Sequence, residues 1–161
     1  VACYDGGSIH GATVMLNTYA YLFLGKSGTG KSPHADLWQK TFEGCELLND
    51  DNPTIRIIDD VVYVYGTPWS GKTPCYKNER CQLRGIVRLQ QASKNIFKKQ
   101  DGMGAFVTLL PGCAVLRFDS ILYNKVCDTL FRIIENVKVG NLDCLPNQAA
   151  AQMCYKSLKV E

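Results

Sequence analysis

The chain has 161 residues, 46% of them hydrophobic and 20% charged, which suits one domain with a packed core and excludes a disordered or fibrous chain. A formal net charge of +3, with no Lys/Arg run carrying interleaved aromatics, gives no ground for a nucleic-acid partner. No apolar stretch approaches the about 18 residues that cross a bilayer, so no membrane partner is expected either. The opening Val1-Ala2-Cys3-Tyr4-Asp5 lacks the basic region of a signal peptide and a starting Met. Residues 1–161 are therefore read as a single domain and as a piece of a longer chain.

In chain order, Ala12 to Leu16 and Tyr19 to Leu24 predict a hairpin turning at Asn17-Thr18. A glycine-rich loop follows, then a helix from Lys31 to about Phe42 and a short strand at Cys45 to Asn49. Thr54 to Ile58 and Val61 to Tyr65 are β-rich runs joined by Asp59-Asp60, a second hairpin. Gly66 to about Asn78 is a Gly/Pro-punctuated loop, and Leu83 to Leu89 returns to strand pattern. Ala105 to Leu110 and Ser120 to Glu135 have helical periodicity, the second with an apolar stripe of Ile121, Leu122, Val126, Leu130, Ile133 and Ile134. Leu142 to Cys144 reads as a last strand and Gln148 to Ser157 as a closing helix. Strands that arrive as hairpins predict an α/β fold with a mixed, largely antiparallel sheet, not a doubly wound one.

The stretch Gly25-Lys26-Ser27-Gly28-Thr29-Gly30-Lys31-Ser32 fits G-x-x-x-x-G-K-[ST], the P-loop pattern, between a strand and a helix. Glycines let the backbone turn its N–H groups inward as an anion nest, and the helix start adds unpaired N–H groups and a positive dipole end. Lys31 would reach the terminal phosphates and Ser32 would offer a hydroxyl to Mg²⁺. The expected cofactors are ATP and Mg²⁺.

Asp50-Asp51 follows the apolar strand Leu47-Leu48. Mg²⁺ needs carboxylate ligands, and transfer to a hydroxyl needs a proton acceptor, so two adjacent acids can divide these roles. Lys72, in the loop, is a candidate phosphate clamp, and Trp69 is either a stacking or covering residue or part of the core. His34 is expected to decorate the first helical turns. Arg84 and Arg88 are expected to share a strand face, with Arg84 the preferred charge-stabilising residue. Among the eight cysteines no C-x-x-C occurs. Cys45, Cys113, Cys127 and Cys144 read as small core residues, and Cys75 and Cys81 as the pair to watch for metal or redox chemistry. A phosphate loop implies contact with ATP and hence a cytoplasmic setting with reduced thiols.

The loop Lys26 to Ser32, followed by Asp50-Asp51, resembles the kinase signatures of the phosphoenolpyruvate carboxykinase (ATP) and HPr kinase/phosphorylase superfamily. His10-Gly11 is similar to the His-Gly ahead of the loop in HPr kinases, and Leu83-Arg84-Gly85-Ile86 to part of their Arg-Gly signature. His34-x-x-Leu37-Trp38, Leu47 to Pro53 and Gly66 to Cys75 resemble a small carboxykinase-like subfamily. The resemblance spans roughly residues 8 to 157. It implies a carboxykinase-like nucleotide-binding fold, with His10 and one of the aspartates as the polar pair near the acceptor hydroxyl; on that resemblance Asp51 and Ser32 would hold the metal and Asp50 is assigned as base, the order of the two acids being open to reversal. The pattern departs at Gln82, where HPr kinases have an acid, and leaves no room for an oxaloacetate-binding domain.

The function expected is ATP/Mg²⁺-dependent phosphorylation of a hydroxyl, on a protein or peptide serine or on a small molecule. The alternatives are a nucleotide-binding accessory module with little turnover, and a carboxykinase-like remnant. The expected partners are a nucleotide and the unidentified acceptor, with a homo-oligomer left open by the resemblance.

Overall fold

The computed structural model describes residues 4–115 and 117–159. Among them, nine strands form one sheet: β1 (Gly6–Ser8), β2 (Ala12–Leu16), β3 (Tyr19–Leu24), β4 (Glu46–Asn49), β5 (Thr54–Ile58), β6 (Val61–Tyr65), β7 (Arg80–Gln91), β8 (Ile96–Gln100) and β9 (Lys138–Cys144). The helices are α1 (Lys31–Thr41), α2 (Gly102–Leu109), α3 (Ser120–Asn136) and α4 (Gln148–Leu158). None is long and apolar enough to cross a membrane.

The sheet is mixed and largely antiparallel. Its path runs β1-β5-β6-β7-β3-β2-β4, and β9 pairs with both β7 and β8. Only β3–β7 and β7–β9 are parallel. Both expected hairpins are present. Asn17 and Thr18 have φ of 51° and 69°, and Asp59 and Asp60 have 50° and 61°, the doubly left-handed turn that matches strand twist.

Side-chain alternation divides β3 between two cores. Ala20, Leu22 and Leu24 pack with Ala105 and Leu109 of α2 and Leu130 and Ile133 of α3. Tyr21 and Phe23 pack on the other face, with Ala35 and Trp38 of α1 and Ala151, Cys154 and Leu158 of α4. The predicted stripe of α3 holds at Val126, Leu130 and Ile133, whereas Ile121 is exposed. Two strands escaped the sequence reading. β1 is three residues long, and β8 is a charged edge strand whose Lys98 and Lys99 face solvent, a pattern that discourages edge-to-edge pairing.

Three expectations need correction. His34 does not decorate a surface turn: it is buried, edge-on to Phe23 at 4.7 Å, and its Nε2 accepts the Trp38 Nε1–H at 3.0 Å. Trp38 is fully buried, but Trp69 is 62% exposed and so is not a core residue. Cys75 and Cys81 do not form a pair. Cys75 donates to the Leu48 carbonyl at 3.3 Å and Cys81 to that of Thr18 at 3.2 Å, at separate places, and the seven described cysteines are free thiols.

Burial lowers the His34 pKa from 6.5 to about 4, so its imidazole is held neutral in the fold. The unfolded chain then binds more protons below pH 6.5, and stability is present above that pH and lost as the pH falls towards 4. Urea melts should show the protein about 2 kcal/mol less stable at pH 5 than at pH 7. In His34→Gln most of that difference should vanish.

Candidate functional site

Parallel β3 and β7 both end where the glycine loop begins, and antiparallel β2 starts there. Ala12 lies opposite Phe23, so His10 and Gly11 come alongside Leu24 and Gly25. β4 runs antiparallel to β2 and pairs Asn49 with Thr13, so Asp50-Asp51 emerges at the same end of the sheet. Three segments distant in sequence therefore meet at one rim.

The loop has the backbone that its glycines allow. Gly28 and Gly30 have φ of 83° and 98°, a region that a side chain would strain. Thr29 closes the turn, with its N–H and its hydroxyl both donating to the Lys26 carbonyl, at 3.1 and 2.8 Å. Gly30 caps α1 without a side-chain bond, and no acid lies in the first turn, so the helix start carries no built-in anion. Lys31 Nζ donates to the carbonyls of Gly25 and Lys26, at 3.0 and 3.2 Å. Burial lowers its pKa, and Asp50 partly offsets that shift. Lys26, Ser27 and Gly28 are exposed at the tip.

Ser32 Oγ–H donates to Asp50 Oδ1 at 2.6 Å. Asp50 is buried, and its second oxygen accepts the Thr73 N–H at 3.1 Å. Gly71 packs so closely over it that a Cβ there would lie 2.5 Å from the Asp50 carbonyl oxygen. Asp51 is aimed elsewhere: its Oδ1 lies 3.5 Å from His10 Nδ1, with the His10 side chain 47% exposed at the rim. The contacts are thus the reverse of the expected division, with the loop serine paired to Asp50 and the histidine to Asp51. A serine hydroxyl and a carboxylate are the hard oxygen donors that Mg²⁺ accepts when phosphate and water complete its shell. No group of three or more His, Cys, Asp or Glu side chains forms a metal cage among the described residues.

The two acids diverge because of Asn49, which the sequence reading passed over. Fully buried at the end of β4, its Oδ1 accepts the Asp51 N–H at 2.9 Å, and its Nδ2 donates to the Trp69 carbonyl at 3.0 Å and to Thr67 Oγ1 at 3.2 Å. Thr67 in turn donates to the Asn52 carbonyl at 2.9 Å. Asn two residues before the N–H it binds is an Asx turn, a signal available in Asn49-Asp50-Asp51. These bonds hold the 66–78 loop over Asp50 and place the exposed Lys72 and Trp69 on its outer side.

Arg84 is not brought to the rim. In the β3–β7 register Ala20 faces Leu83 but Tyr21 faces Gly85, so β7 carries an extra residue there, a β-bulge at Arg84. The bulge reverses the alternation. Leu83 and Ile86 lie on one face despite their odd spacing, and Arg84 and Arg88 fall on opposite faces. The Arg84 guanidinium lies 3.5 Å over the Tyr19 ring, at the start of β3. Arg88 is level with Leu24, directly beside the glycine loop, and its Nε and Nη2 donate to the Thr108 carbonyl at 3.0 and 2.8 Å. Gln82 is likewise at the far end of β7, opposite Tyr19.

No protein-family model matches the chain, and no curated protein sequence does. Among solved structures, the HPr(Ser) kinase/phosphatase from Coxiella burnetii is similar in fold, with a TM-score of 0.52 over 91% of this chain and 84% of that one, at 9% sequence identity. At that identity the likeness concerns the fold. It agrees with the mixed, largely antiparallel sheet expected from the hairpin pattern.

Replacing Asn49 with Ala would leave the Asp51 N–H and two loop groups without their partner. A loss of about 2–3 kcal/mol in stability is expected. Faster proteolytic cleavage within residues 66–78 than in the wild type should accompany it.

Proposed function

We propose that this chain, with its HPr kinase-like fold, is an ATP- and Mg²⁺-dependent phosphotransferase acting on a hydroxyl. The observation that carries the reading is the 2.6 Å hydrogen bond from Ser32 to Asp50. It joins the hydroxyl that ends the glycine loop to a buried carboxylate just past the end of β4, the type of pair that holds the metal in P-loop phosphotransferases.

In this reading the loop N–H groups and Lys31 hold the β- and γ-phosphates, Lys31 leaving the Gly25 and Lys26 carbonyls to do so. Ser32 and Asp50 hold Mg²⁺, which supplies neutralisation of phosphate charge when bound. Asp51, with His10 beside it, accepts the proton of the incoming hydroxyl at the exposed rim. Arg88 replaces Arg84 as the charge-stabilising cation by position, and Lys72 is the candidate clamp from the overlying loop. The acceptor is a protein or peptide serine or a small hydroxyl compound.

Lys31→Ala should abolish nucleotide turnover. Asp50→Asn should weaken nucleotide binding in Mg²⁺ much more than without it. Asp51→Asn should keep Mg²⁺-nucleotide affinity while losing about a hundredfold or more in transfer rate. Steady-state kinetics beside calorimetry separate these effects. If Asp51→Asn transfers as fast as wild type, the assignment of the base is wrong; if Lys31→Ala does, so is the phosphate site.

A further inference from the structure

On the far side of the glycine loop from the acids, an open slot of about 390 Å³ lies at the carboxyl ends of β7 and β9. Thr29, Pro33 and Leu37 form one wall, from the loop and α1. Gln91, Leu145 and Pro146 form the other, from the ends of β7 and β9. Crevices beyond the carboxyl ends of parallel strands are where α/β sheets take ligands, and this volume is in the range of small-molecule sites. Thr29 and Gly30 belong both to the glycine loop and to the lining of this slot, so the slot opens directly beside the loop on the side away from Asp50 and His10.

The slot is pre-formed. Asn95 Oδ1 accepts the Leu145 N–H at 2.8 Å, and the Leu145 carbonyl accepts the Asn147 N–H at 2.9 Å, so the second wall is tied at both ends. Its walls are mostly apolar, and the polar side chains beside it are engaged. Gln91 Nε2 donates to the Gly28 carbonyl at 3.4 Å, and the buried His34 accepts from Trp38. Across the sheet, the ends of the same strands border a different cleft, of about 250 Å³, lined by Arg88, Gln90, Lys98, Asn141 and Asp143, with Lys98 Nζ 3.7 Å from Asp143. That cleft is lined by polar and charged side chains throughout, whereas on the walls of the slot Thr29 and Gln91 stand among mostly apolar residues.

Building on the phosphotransferase reading, we propose that the slot between α1 and the β9–α4 turn receives the nucleoside of a purine triphosphate. It holds the base by apolar contact between Pro33/Leu37 and Leu145/Pro146. An apolar slot discriminates weakly between ligands of one shape, so the protein accepts ATP and GTP alike.

Calorimetry with Mg²⁺ and ATP, GTP or tripolyphosphate, on wild type, Leu145→Ala and Leu145→Asp, tests this. ATP and GTP should bind within about threefold of each other, and both about tenfold or more tighter than tripolyphosphate. Leu145→Asp should remove most of that advantage and Leu145→Ala part of it, with tripolyphosphate affinity unchanged in both, which also reports that the variants are folded. Nucleotides that bind no tighter than tripolyphosphate, or Leu145 variants that bind them as wild type does, would overturn the assignment. So would a strong ATP-versus-GTP preference abolished by Asp143→Asn, which would move the base to the polar cleft. Tripolyphosphate that fails to bind, or binds equally to Lys31→Ala, would instead remove the phosphate site and this inference with it.

Discussion

The arrangement of the rim depends on one contact, the hydrogen bond from Ser32 to Asp50. It ties the first turn of α1, which follows β3, to the end of β4 across the one intervening strand β2, between residues with no local reason to meet. A buried carboxylate is costly without partners. Asp50 has two, the Ser32 hydroxyl and the Thr73 amide, one from each side of the rim. The loop 66–78 and the glycine loop are thereby referred to the same pair of oxygens. A change in either reaches the other through Asp50.

The sheet makes that contact possible by combining two pairing modes. Antiparallel β2 and β4 bring His10 and the acid pair to the end where β3 stops. Parallel β3, β7 and β9 all point their carboxyl ends the same way, so Arg88 and the walls of the open slot surround the glycine loop from the other side. The glycine loop and the acid pair thus leave the same end of one sheet from β3 and β4, with β2 between them. The bulge at Arg84 has a consequence here. By inverting the alternation of β7 it places Arg88, and not Arg84, on the α2 face beside the loop.

Much of this was legible in the sequence because the information was local. The turn residues Asn17-Thr18 and Asp59-Asp60 announced both hairpins, and the glycine loop between an apolar run and a helix announced its own setting. What was not legible depended on long-range register. Arg84 and Arg88 are four apart, and nothing in β7 itself reveals an extra residue that appears only against β3. The division between Asp50 and Asp51 is set by Asn49 and by a loop some twenty residues on, so adjacency alone left the order open. His34 looked like a surface residue because it follows the loop directly. Its burial follows from the i, i+4 spacing to Trp38, which places both on the inner side of α1. β8 was invisible because an edge strand rich in lysine has no apolar alternation to show.

The most direct test of the account is ATP binding to the wild-type protein by calorimetry, with Mg²⁺ and with the metal chelated. If Ser32 and Asp50 form the metal end of a phosphate site, binding should be micromolar with Mg²⁺ and weaker by about tenfold or more without it. Binding of equal strength in the two conditions, or no binding in either, would contradict the central claim that the loop and Asp50 act as one site.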